Sequence, residues 1–355
     1  MSDSSESIVL ETTRRILADL ADPQTVNAAS DDSWKAPLWQ TLEESGLTLA
    51  WVSDSLGGAG ASVADGFDVL RVAGQYAAPV ALSETLIAGW LLSAAGQECP
   101  AGAMTVAPIR DGDKITVGAD GTLSGKARAV PYARTASKIV VLAERDGKTV
   151  IAMVDPASCR VTDRDNDLGG ERADVVFDSV KPTSLTDAPA GVDHDALWQM
   201  GAAARATEMT GALETCLAIS TQYSTERVAF GRTISKFQAV QHNLARLAGE
   251  VAVALAASGS AADTLENEAD NKEAVFLEVA SAKIRVGEGS RDGLAIAHQV
   301  HGAIGFTSEY ILQMFTRRLM GWRDDFGSES MWAVKLGNIV AERGEEKLWP
   351  LLTTR

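Results

Sequence analysis

The chain is short of cysteine, of positive charge and of long apolar runs, and each shortage removes a class of function. Its cysteines, Cys99, Cys159 and Cys216, are odd in number and widely spaced, with no C-x-x-C pair. That pattern argues against a disulfide framework or a zinc site and leaves them as small apolar groups. Lys plus Arg total 32 against 48 Asp plus Glu, a net charge of -16. A surface of that sign repels nucleic acid and anionic membranes unless a basic patch overrides it, and no such patch is visible in the sequence. Apolar stretches such as Leu86 to Ala95 fall well short of the roughly 20 residues that span a bilayer. Met1 to Glu6 is polar and acidic rather than signal-like. The expectation is a cytoplasmic protein with neither a nucleic-acid nor a membrane partner.

A chain of 355 residues with 46% hydrophobic content can bury the cores of two or three domains. Up to about residue 100 the apolar spacing is helical, as in Ile8, Leu10, Ile16, Leu17 and Leu20, then Phe67, Val69, Leu70 and Val72. The run Leu56-Gly57-Gly58-Ala59-Gly60 lacks the strand-then-helix setting of a phosphate loop and reads as a turn. From Ala101 the texture changes to short β-branched runs separated by Asp111-Gly112, Asp120-Gly121 and Asp146-Gly147, the pattern of an antiparallel β-domain. From Ala188 long helical spacing returns, with Asp193 as N-cap and Leu197, Met200, Ala204, Met209 and Leu213 on one helix, followed by runs at Phe237 to Ala262, Lys272 to Gly302 and Ser328 to Arg343. The expected order is a helical domain at 1–100, a barrel-like β-domain at 101–187 and a four-helix bundle at 188–355, so the fold class is mainly α with a central β-domain.

Two segments of the bundle carry the chemistry. Arg227 to Gln241 reads R-V-A-F-G-R-T-I-S-K-F-Q-A-V-Q, and Gln299 to Glu309 reads Q-V-H-G-A-I-G-F-T-S-E. Each joins a helical pattern to a glycine turn crowded with polar groups. Arg227 can grip a diphosphate through two parallel hydrogen bonds while Phe230 shields the contact. His298 and His301 lack acidic or Cys companions at ligand spacing, so no metal is expected.

Together these segments resemble the flavin-binding signatures of the acyl-CoA dehydrogenase family, strongly from Ala188 onward and more weakly before it. The resemblance implies FAD held by Arg227, Phe230 and Gln238, by Gln299 and Gly302 reaching across a subunit boundary, and by Ser328. It also implies an acyl-CoA substrate and an electron-transferring flavoprotein as acceptor. Where the family has a second glycine this chain has Ala303, and the strand that would offer a hydroxyl to the flavin ring reads Ala127-Arg128-Ala129-Val130-Pro131-Tyr132. The acyl pocket would be bordered by Trp198, Met200, Arg205 and Met209, residues that serve equally as bundle core.

The family's base, a Glu before a Gly-Thr pair, has no counterpart. Gly327-Ser328 matches the pair, and Phe326 stands where the Glu should be. Asp325, one residue earlier, is the candidate replacement. The second place where the family carries a base falls at Gly201 and Ala202, and Glu208 and Glu214 farther along that helix read as solvent-facing or salt-bridged. A chain that keeps a flavin cradle and lacks the base is expected to be one subunit of a heterotetramer whose homologous partner supplies the carboxylate, as in actinobacterial dehydrogenases of steroid side-chain thioesters. The alternatives are a flavoenzyme using Asp325 and a non-catalytic paralogue that retains only the fold.

Overall fold

The computed structural model describes residues 8–164 and 170–353; the acidic start Met1 to Glu6 lies outside them. Amphipathic spacing builds the first domain from α1 (Ile8–Leu20), α2 (Pro23–Ala28), α3 (Lys35–Glu44), α4 (Val63–Tyr76) and α5 (Leu82–Ala94). Polar caps begin two of them. Asp22 accepts the Thr25 N–H, and Ser62 accepts the Asp65 N–H. The glycine run is the expected turn, with Gly57 and Gly60 at φ +82° and +57°.

The second domain contains β1 (Met104–Ala107), β2 (Ile115–Val117), β3 (Leu123–Pro131), β4 (Lys138–Arg145), β5 (Lys148–Val154), β6 (Arg160–Asp163), β7 (Arg172–Val180) and β8 (Ser184–Asp187). Their order is β6-β7-β3-β2-β4-β5-β8, with β1 added on β4. Asp146 and Gly147, at φ +51° and +75°, make the tight β4–β5 turn that an Asp-Gly pair favours. The sheet is mixed rather than purely antiparallel, because β1 and β2 both pair with β4 in parallel. One face closes its own core around Ile139, Val141, Val175 and Phe177. The other sends Met104, Val106, Val140, Leu142 and Ile151 into the helical core, so the β-domain and the helices share a single apolar interior.

The third domain holds α6 (His194–Glu226), a short hairpin of β9 (Val228–Ala229) and β10 (Arg232–Thr233), α7 (Gln238–Asn267), α8 (Lys272–His301), α9 (Leu312–Asp324), α10 (Glu329–Arg343) and α11 (Leu348–Thr353). The first half of α6 is buried on every side, as expected of a helix running through the middle of a protein. Glycines permit this crowding. A β-carbon on Gly211 would lie 1.9 Å from the Arg71 carbonyl, and one on Gly74 would lie 2.0 Å from that of Glu208, so α4 and α6 meet backbone to backbone. By length and composition α7 could cross a membrane, yet it packs along α6 and α8 as a member of the bundle.

Candidate active site

The two places where the family carries a base converge in this fold. Phe326, 1% exposed, lies over Gly201 so closely that a β-carbon there would sit 2.4 Å from its ring. Phe326 holds a left-handed φ of +52° and Gly327 one of +91°. Such a conformation is strained for a residue with a β-carbon and persists only where the surroundings enforce it. The surroundings do so: Trp332 donates its indole N–H to the Phe326 carbonyl at 2.9 Å. The meeting point of the two base positions is therefore filled by an aromatic ring, and neither position offers a carboxylate.

Asp325 does not replace it. Its side chain is fully buried. Oδ1 accepts from Arg172 at 2.9 Å and Arg110 at 3.2 Å, and Oδ2 accepts from Arg205 Nε at 3.1 Å. Burial alone would raise this carboxyl, but Arg172, Arg205, Arg110 and Lys283 outweigh it and hold its pKa below the ordinary value. A carboxylate so held is a poor proton acceptor and has no path to a thioester, so the expectation of Asp325 as base is corrected to a structural anion.

Behind it lies an ion network that the sequence reading missed. Arg205, 2% exposed, also donates to Glu84 of α5 and Glu208 of its own helix. Glu208 is thus buried and ion-paired rather than facing solvent, and burial pushes it up to about 7 against the pull of Arg205. Lys283 of α8 donates to the Trp322 and Arg323 carbonyls, each at 3.0 Å, and burial pushes it down to about 7. The signal for this network was present: Arg205 and Glu208 are the charges within the run Gly201 to Leu213, which is otherwise apolar or small. Glu214 pairs with Arg71 as read, and Met200 and Met209 belong to the core.

Ser328 lies elsewhere, in a cleft between the β-domain and the bundle, where Arg110, Arg128, Ala129, Trp198 and Met331 join it around a cavity of about 270 Å³. Its oxygen accepts the Met331 N–H and caps α10. On the opposite wall β3 bulges at Ala127 to Val130, and the Ala129 N–H goes to Asp174. No hydroxyl projects from that stretch, as the sequence indicated.

The remaining predicted residues face outward at one end of the bundle. Arg227 ends α6, and Phe230, 95% exposed, stands at the tip of the β9–β10 hairpin with its ring edge-on to Phe237. Gln238, exposed, begins α7. Gln299 and Gly302, both exposed, end α8. The two segments are joined where Tyr223, one turn before Arg227, stacks on His301 at 4.5 Å. Around Gly302, at φ +66°, nothing lies within 4 Å of where a β-carbon would be, so its backbone is open to a ligand. Beside it Leu294, His298, Gln299, Phe306 and Arg323 border a groove of about 530 Å³.

A guanidinium, two carboxamides, an exposed aromatic and bare backbone thus lie outward at one end of the bundle, apart from the inner cleft, whose only lining carboxylates among the described residues are Asp111 and Asp324. Residues 196–330 match the model of the acyl-CoA dehydrogenase C-terminal domain. Through that domain the chain is similar to the acyl-CoA dehydrogenase family, whose members are FAD-dependent. It is 28% identical over 319 residues to the acyl-CoA dehydrogenase IpdE2 of Mycobacterium tuberculosis, covering 88% of this chain and 89% of that one. In fold it is similar to a chain of the ChsE4-ChsE5 complex from Mycobacterium tuberculosis, with a TM-score of 0.80 at 20% identity over 96% of this chain and 99% of that one. It is equally similar to a chain of the Tcur3481-Tcur3483 steroid ACAD, with a TM-score of 0.81 at 23% identity over 94% and 97%.

The outward residues fit the cofactor. Arg227 and the open Gly302 backbone suit a diphosphate, and the carboxamides of Gln238 and Gln299 suit the polar edges of a nucleotide. The inner cleft fits less well, since the Ala127 to Val130 stretch of β3 carries no hydroxyl and Arg110 bridges from the β-domain to Asp325.

Proposed function

We propose that this chain is one subunit of a heteromeric, FAD-dependent acyl-CoA dehydrogenase, holding part of the cofactor while a homologous subunit contributes the base. One observation carries the reading: the Phe326 ring packs on Gly201, the two positions where the resemblance expects a base, while Arg227, Phe230, Gln238, Gln299 and Gly302 are turned outward.

Oxidising a thioester between its α and β carbons needs a carboxylate for the α-proton, and bound FAD would supply the hydride acceptor. Here the chain's own residues bind and orient. Arg227 would pair with the diphosphate, Gln238 and Gln299 would fix the nucleotide's register, and Phe230 would keep water from the charged contact. The proton would be taken by the partner. A bulky acyl-CoA of the steroid side-chain kind is the proposed substrate class, supported by the likeness in fold to a steroid ACAD, with an electron-transferring flavoprotein as acceptor.

The competing reading, a paralogue that keeps only the fold, is favoured by Phe326 and Ala303. It leaves the outward Arg and Gln set without a purpose. The two readings separate when the chain is purified alone and together with its homologous partner. We expect flavin absorption and turnover only from the pair, and a colourless, inactive pair would remove the proposal.

A further inference from the structure

Three of the last four carbonyls of α9 are taken by side chains from outside the helix. Lys283 of α8 donates to those of Trp322 and Arg323, and Arg110 of the loop after β1 donates to that of Asp324. These groups are the orphan acceptors of a helix end, where cations are favoured by the helix dipole. The next residue, Asp325, receives Arg110 and Arg172 from the β-domain and Arg205 from α6, and Arg205 passes the connection to Glu84 of the N-terminal domain. All three domains therefore converge on the turn between α9 and α10, where Phe326 is held in its left-handed conformation and Ser328 starts α10.

We infer that this convergence is a clamp that positions Phe326 and Ser328, with Lys283 as its proton-responsive pin. Its importance for the cofactor rests on the function proposed above; the clamp itself does not. Lys283 is 1% exposed. The charges facing it are Asp324 and Asp325 of the turn, Arg205 of α6 and Glu329 of α10. Glu329 is itself paired to Arg323 of α9. On its own helix lie Glu278 and the Arg285–Glu288 pair.

The sign of the response follows from linkage. In the closed turn burial holds the amine near neutrality at about 7, against 10.5 when hydrated. Opening the turn in this window therefore takes up a proton. Raising the pH from about 7 to 10 should make opening progressively less favourable, by at most about tenfold per pH unit. Below that window Lys283 is charged in both states and contributes no slope.

Amide hydrogen exchange of the full chain tests this without cofactor, reading the peptide that spans residues 319–332 after correction for intrinsic rates. In the unsubstituted chain protection should rise at least about tenfold between pH 7 and pH 9. Lys283→Met and Lys283→Arg should both abolish the slope, since neither residue can shed a proton there. Lys283→Met should also lower protection at pH 9, because two carbonyls lose their donor. A flat profile in the unsubstituted chain would overturn the role of Lys283, and this arm stands even if a variant fails to fold. Protection in Lys283→Met equal to that of the unsubstituted chain at every pH would overturn the clamp. Neither result bears on whether flavin binds the paired subunits, so the two proposals fail separately.

Discussion

Arg205→Met probes the buried network most sharply, because methionine follows the arginine stem while removing its charge. Arg205 contacts Glu84, Glu208 and Asp325, all nearly or fully buried. Asp325 would keep Arg110 and Arg172, whereas Glu84 and Glu208 would lose the guanidinium that pairs with them. Breaking a buried pair from one side leaves an uncompensated charge at about 3–5 kcal/mol, so a loss of about 4 kcal/mol is expected at pH 8. The loss should shrink with acidity. Burial already raises Glu208 to about 7 from 4.5, so its contribution is most favourable below about 4.5 and is eroded as pH rises toward 7. Without Arg205 that erosion extends to higher pH, and protonation at pH 5.5 relieves much of it. Urea unfolding followed by tryptophan fluorescence at pH 5.5 and pH 8 measures both numbers. A deficit under about 1 kcal/mol at pH 8, or the same deficit at both pH values, would refute the claim that Arg205 compensates buried charge.

Other expectations follow from single contacts. Gly201→Ala would place a β-carbon 2.4 Å from the Phe326 ring and should destabilise by about 1–3 kcal/mol, as overpacked cores do; a raised melting temperature would mean the ring moves freely. Phe230→Ala, at a position 95% exposed, should change stability by less than about 0.5 kcal/mol while weakening flavin retention in the paired enzyme; unchanged retention would remove Phe230 from the cradle. Ser328→Ala should lower stability by about 1 kcal/mol through loss of the α10 cap, visible as a lower unfolding midpoint.

The three-part order was legible because the period of the apolar residues changes near residue 100 and again near 188, and the helix and strand boundaries fall there. The parallel pairings of β1 and β2 with β4 were not, since a short apolar run does not disclose its neighbour. Arg227, Phe230, Gln238, Gln299 and Gly302 could be read because they stand in compact motifs. The clamp was invisible for the opposite reason: Glu84, Arg110, Arg172, Arg205, Lys283 and Asp325 come from six separate stretches and meet only after folding. Asp325 was misjudged because proximity in sequence to the missing base was taken for proximity to substrate, whereas its side chain turns inward to guanidinium groups.

The most direct measurement is the flavin dissociation constant of the paired enzyme carrying Arg227→Met together with Gln238→Ala in this subunit. The account predicts weakening of at least about tenfold, corresponding to the loss of one charge-assisted hydrogen bond of about 1.5–3 kcal/mol, with the unfolding midpoint of this chain unchanged. Flavin held as tightly as in the unsubstituted pair would contradict it.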